Sequence, residues 1–209
     1  MEKAKNVHEY IASQKENLAV NPGCGLSHYN LAVALMGLKE YDEAEKEFIE
    51  TIDCSPNMAE AYVQLGGICL QRGDIDGCLA YNQQAVKVRA GFAEGYGNIG
   101  FVLIQKGDID EGITSLQKAI TFNSNFIQAY ATLASAYLMK GLINESIEAG
   151  KKALRIEPEF SLVHNNLAIA YLEKGDNSKA IEHCDRAVEL GYEVAPQILE
   201  EINQHRSKA

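Results

Sequence analysis

A leucine or isoleucine returns every 34 residues along this chain, at Leu31, Leu65, Ile99, Leu133 and Leu167. The small residue after each keeps step as Ala32, Gly66, Gly100, Ala134 and Ala168. Thr51, Ala85, Ala119, Ala153 and Ala187 form another column, and Gly73, Gly107, Gly141 and Gly175 a further one. The pattern runs from residue 25 to 194 without an insertion. A fixed period of this length means one supersecondary unit is copied, and each copy buries its apolar face only against its neighbours. Such a chain is expected to form a solenoid, an architecture that mostly binds rather than catalyses.

Within each copy, apolar residues recur at helical spacing in two stretches divided by a glycine turn. The second copy has Ala61, Tyr62, Leu65, Ile68 and Cys69, then Gly73-Asp74, then Ile75, Cys78, Leu79 and Val86. The glycine is expected to stop the first helix in the left-handed conformation. Asp74, Asp108 and Asp176 are expected to cap the second. Pro56 and Pro158 close their copies, so each copy reads as a helical hairpin. Gly112 and Gly150 stand where the other copies hold core residues and predict locally loose packing.

The pattern resembles the tetratricopeptide repeat (TPR) family. Tyr130, Leu133-Ala134, Tyr137, Gly141, Ala153 and Pro158 carry the resemblance in the fourth copy. In the first copy it rests on Leu31-Ala32, Tyr41 to Ala44, Phe48 and Pro56. Ala90, Ser124 and Tyr192 depart from the terminal proline. The resemblance implies an all-α, right-handed solenoid of five hairpins, at residues 25–58, 59–92, 93–126, 127–160 and 161–194. Residues 3–20 read as a half-repeat helix with Val7, Tyr10, Ile11 and Leu18 inward, and 195–207 as a capping helix with Ile198, Leu199 and Ile202 on one face. The whole chain, 1–209, reads as one domain.

Charge and composition narrow the partners. The net charge is −10, and basic residues cluster no further than pairs such as Lys151-Lys152. That excludes the basic stripe of a nucleic-acid binder and opposes adhesion to an anionic membrane. The apolar run from Leu31 to Met36 is far short of a membrane span, and the charged N-terminal residues lack a signal-peptide core, so a cytoplasmic protein is expected. The five cysteines contain no C-x-x-C. Cys54, Cys69, Cys78 and Cys184 fall at core places and read as small hydrophobes, leaving Cys24 as the exposed thiol.

Shorter motifs dissolve into the repeat. Gly95, Gly97 and Gly100 spell G-x-G-x-x-G, but inside a helical stretch with no strand before it, so no dinucleotide site is expected. Asp74-Ile-Asp76 and Asp108-Ile-Asp110 lack the remaining ligands of a calcium loop. His28 and His164 hold the place of Tyr62, Tyr96 and Tyr130 and are expected to pack between helices. His183 and Cys184 are neighbours that point to different helix faces. The histidines show no metal spacing, no nucleophile–base set stands out, and neither catalysis nor a cofactor is expected.

What remains is a candidate binding face. By resemblance, first helices line a concave groove, and its inward places hold Asn30, Gln64, Asn98, Thr132 and Asn166. Side-chain amides both donate and accept, so such a column suits a peptide backbone. Val33, Phe101, Ile104, Leu138 and Ile169 add apolar character, together with Met36, Val63, Leu70 and Leu172, while Gly67 and Gly97 leave room for close approach. The groove cations with which TPR proteins clamp chaperone carboxylates are replaced by Glu94, Asn98, Gln128 and Thr132. The expected function is protein–protein interaction, with a weakly charged, partly hydrophobic segment of a partner, extended or helical, in the groove. The alternative is a structural subunit, assembly factor or self-associating scaffold that uses its ends or convex face.

Overall fold

The structure, a computed structural model, describes residues 2–206, with side chains described from Asn6 onward. The predicted outer limits at 1 and 209, and the end of the capping helix at 207, lie outside the described residues. Among those described, the chain is helical throughout: α1 (Glu2–Val20), α2 (Gly25–Gly37), α3 (Tyr41–Cys54), α4 (Ala59–Gln71), α5 (Ile75–Val88), α6 (Ala93–Lys106), α7 (Ile109–Phe122), α8 (Ile127–Met139), α9 (Ile143–Ile156), α10 (Ser161–Lys174), α11 (Asn177–Glu189) and α12 (Pro196–Arg206). It is an all-α solenoid of helical hairpins. Two compact units emerge, Met1–Val102 and Leu103–Ala209.

The turns follow from the glycine column. Gly73, Gly107, Gly141 and Gly175 all have positive φ, from 69° to 92°. In the first hairpin Lys39 occupies that place, with φ 65°. A Cβ in this region crowds the following carbonyl, so the first turn carries strain that the others avoid. Side-chain capping is patchier than the aspartates suggest. Asp74 accepts from the Gly77 N–H (2.9 Å) and Asp176 from the Lys179 N–H (3.3 Å). Asp108 makes no capping bond, contrary to expectation.

In the first unit, Ile11, Leu31, Leu35, Phe48, Leu65 and Ile68 share one core. Tyr29 meets the Phe48 ring edge-on at 5.7 Å. The inward face of α1 consists of Val7, Ile11, Gln14 and Leu18, which recur every three or four residues. Tyr10 lies beside that stripe and is 43% exposed, which corrects the inward placement expected for it. In the second unit, Tyr130, Val163, Leu167, Tyr171, Cys184 and Ile202 anchor the core, so α12 closes it with Ile202 fully buried.

Two further expectations change. Gly150 is not a loose spot: a Cβ there would lie 2.8 Å from Cδ2 of Leu167, so the leucine already fills the space. Cys69, Cys78 and Cys184 are buried, but Cys54, at the last position of α3, is exposed, and Cys24 is only half-exposed. Cys54 sits where the helix turns out toward Pro56, so a core place in the repeat register does not bury it.

Both outermost hairpins are tied by a buried histidine on their first helix. His28 places Nδ1 2.7 Å from Oε2 of Glu47 and Nε2 2.9 Å from the Pro22 carbonyl oxygen. His164 places Nδ1 3.0 Å from Nδ1 of His183 and Nε2 2.9 Å from the Pro158 carbonyl oxygen. Each pair joins α2 to α3 or α10 to α11.

Candidate protein-binding face

In the first unit, the first helices of the hairpins carry three equivalent positions with open surroundings. Val33 on α2 is 43% exposed and Phe101 on α6 is 37% exposed. Between them in register, Gly67 of α4 is exposed, and a Cβ there would meet nothing within 4 Å. A mid-helix glycine costs about 1 kcal/mol against alanine and here serves no internal contact. Met36 and Leu70, one turn further along, are half-buried, as is Val63. Two turns before Val33 on α2, Leu26 is 59% exposed at an opening of about 650 Å³ lined by Leu26, Tyr29, Pro56, Met58, Glu60 and Arg89. The repeat pattern did not reveal this opening, because Pro56 and Met58 reach it from the loop between hairpins.

Its polar rim is self-paired. Arg89 holds Glu60 with both guanidinium nitrogens, Nη2 at 2.7 Å from Oε2, and its guanidinium carbon lies 5.0 Å from the centre of the Phe92 ring. The hydrogen bonds from Arg89 hold the Glu60 carboxyl below its usual range. Burial pushes the Tyr29 phenol up, assisted by the Glu60 charge and opposed by a hydrogen bond with Gln64. The opening therefore combines apolar walls with a neutralised ion pair and suits a ligand of low charge.

The amide column divides by position. Asn30 and Gln64 are half-buried on α2 and α4. Asn98 turns its amide inward: Nδ2 donates to Oδ1 of Asn82 at 2.9 Å, and Nδ2 of Asn82 donates to the Cys78 carbonyl oxygen at 2.8 Å. Asn82 is fully buried and fits because Gly66 faces it; a Cβ on Gly66 would lie 2.4 Å from Nδ2 of Asn82. This buried amide pair was hidden in the sequence, although Asn82 stands where Phe48 and Leu116 stand in neighbouring copies. Gly95 and Gly97 are buried within α6, and a Cβ on Gly95 would lie 2.7 Å from Val86, so the G-x-G-x-x-G string is a packing feature.

In the second unit the equivalent polar groups are already engaged. Thr132 donates to the Gln128 carbonyl oxygen of its own helix at 2.8 Å. Asn166 is 6% exposed and donates to Oγ of Ser135 at 2.8 Å. Ile104, Leu138, Ile169 and Leu172 are half-buried. The second unit thus offers apolar edges without open amides at these two positions.

Family models described as tetratricopeptide repeat match residues 29–94, 93–126, 127–160 and 161–190. The chain belongs to the tetratricopeptide repeat family. TPR domains are protein-interaction modules, and their fold is in general a non-catalytic scaffold. No curated protein matches the chain significantly. Among solved structures, the crystal structure of MamA protein is similar at 23% identity and TM-score 0.67, over 79% of this chain and 91% of that one. YrrB, titled a TPR protein with an unusual peptide-binding site, is similar at 17% identity and TM-score 0.70, over 94% and 98%. PilF of Pseudomonas aeruginosa is similar at 13% identity and TM-score 0.81, over 99% and 92%. At these identities the likeness concerns the fold. No helix among the described residues is long and apolar enough to cross a membrane.

Proposed function

We propose that this TPR protein is a non-enzymatic, cytoplasmic adaptor whose first-helix face binds a segment of another protein. Its 209 residues are read as one repeat domain of five hairpins between an N-terminal half-repeat and a C-terminal cap. The observation that carries the proposal is the trio Val33, Gly67 and Phe101 in the first unit, two exposed apolar side chains flanking an unfilled helix surface. Exposed apolar surface of this kind on a globular protein marks an interaction site. Asn30 and Gln64, one turn away, supply amides for a backbone or polar face, and Leu26 extends the apolar contact. The corresponding apolar edges of the second unit, Ile104, Leu138 and Ile169, serve the same kind of ligand. The peptide-binding site named for YrrB supports peptide recognition as a use of this architecture.

The test is capture of partners from the native lysate by wild type and by Val33→Glu/Phe101→Glu, with helicity checked by circular dichroism. Asn98 is left intact because it holds buried Asn82. Loss of a dominant partner from the folded variant supports the face. Unchanged capture overturns it and favours a subunit or scaffold working through its ends, which a concentration-dependent mass measurement then reads as self-association or its absence.

A further inference from the structure

The histidine ties of the two outermost hairpins differ in how many protons they tolerate. Pro158 offers only a carbonyl oxygen, so Nε2 of His164 carries a proton and its Nδ1 presents a lone pair to His183. Nδ1 of His183 must then carry the proton that makes the 3.0 Å contact an N–H···N bond. A first proton from solvent, taken on Nε2 of His183, leaves that bond in place. A second can go only to Nδ1 of His164, and it leaves two N–H groups facing one another across 3.0 Å. At the same two places in the first hairpin, both partners of His28 are acceptors, a carboxylate and a carbonyl, and the doubly protonated ring is the form they require.

We propose that the His164–His183 bridge makes the α10–α11 hairpin acid-labile, a conformational latch that opens when the pair takes its second proton while the first hairpin stays closed. The surroundings oppose extra charge on the pair. The His183 ring stacks on Tyr171, centroids 5.6 Å apart, and Lys179 lies 5.2 Å from the centre of the same Tyr171 ring. Burial holds His183 below its ordinary value, with His164 and Lys179 adding to the effect and Glu182 opposing it. An open groove of about 420 Å³, lined by the two histidines with Glu182, Asp185, Arg186 and Glu189, gives water access to the pair.

The other charges on adjoining elements are largely engaged. Arg186 pairs with Glu159 before α10 and with Glu189, Asp185 pairs with Arg206 of α12, and Lys151 of α9 pairs with Glu148. Lys179 in turn pairs with Asp176 at the start of α11, Nζ to Oδ2 2.6 Å.

Amide hydrogen exchange on the full chain between pH 7.5 and 5.0, corrected for intrinsic rates, tests the latch. Protection over 161–189 is expected to fall about tenfold or more relative to the histidine-free hairpin 59–88. In His183→Glu, which installs the pairing of the first hairpin, and in the uncharged His183→Gln, that relative loss is expected to vanish. A constant protection ratio in wild type overturns the proposal, as does an equal acid loss in both variants. So do imidazole resonances of His164 and His183 that titrate independently.

Discussion

The first and fifth hairpins share a backbone plan and answer the same packing problem with different chemistry. His28 and His164 are equivalent, and so are Pro22 and Pro158, whose carbonyls accept from the two imidazoles. Their second-helix partners differ, Glu47 in one and His183 in the other. Beside those partners, Phe48 fills the first core where Cys184 sits in the fifth. The fold thus asks of this place only a ring that can reach across the hairpin. Whether the tie is ionic or neutral is left to a single partner residue, and that choice sets the sign of the pH response.

Core volume should separate the hairpins most. Phe48 is fully buried, so Phe48→Ala is expected to cost about 3–5 kcal/mol, whereas Cys184→Ala removes one sulfur and should cost under about 1.5 kcal/mol. Urea denaturation of both variants measures the contrast. Comparable losses would mean that the first unit collapses around its cavity.

The ionic tie gives the next effect. Burial disfavours the charged His28 ring, but the Glu47 hydrogen bond, the Pro22 carbonyl and the charges of Glu47 and Glu50 together hold it above its ordinary value. Its stabilisation is therefore full below about pH 6.5 and lost as pH rises through the folded value. Glu47→Ala at pH 6 is expected to cost about 1–2 kcal/mol, moderated because Glu47 is partly solvated, and the penalty should shrink toward pH 8.5. In the fifth hairpin the sign reverses. A lowered His183 leaves stability intact above about pH 6.5 and erodes it as pH falls toward the folded value. Chemical denaturation across pH, with His183→Gln as the partner variant, checks that the two slopes oppose. Parallel slopes would remove the distinction.

How much of this was legible follows from the range of each signal. Helix ends and hairpins were readable because a glycine turn and a 34-residue register are local and repeated. Buried His28 and His164 were readable for the same reason, since they stand in a tyrosine column. Contacts between non-equivalent columns were not. Gly150 reads as a missing side chain until Leu167 is seen to occupy its space, and Asn82 reads as an anomaly until Gly66 and Asn98 are seen to accommodate it. His183 was invisible as a partner because its role depends on a residue one helix away. On the candidate face, register located the columns, but exposure varied within each, from open Val33 to half-buried Ile169. Register specifies direction from the helix axis, whereas exposure depends on the size of the neighbours.

The turns of the same two hairpins give the smallest contrast and an internal control on strain. Lys39 and Gly175 both lie in the left-handed region, at φ 65° and 80°. A β-carbon there costs about 1–2 kcal/mol, and the glycine offsets part of that gain through its greater freedom in the unfolded chain. Lys39→Gly is therefore expected to stabilise the protein by about 0.5–1 kcal/mol, and Gly175→Ala to destabilise it by about 1 kcal/mol. Thermal melts of the two variants read the pair. Opposite shifts would place the asymmetry in backbone strain, because no Cβ at Gly175 would meet an atom within 4 Å and packing is unchanged there. A destabilised Lys39→Gly would instead show that the lysine side chain holds the first turn through contacts that outweigh its conformation.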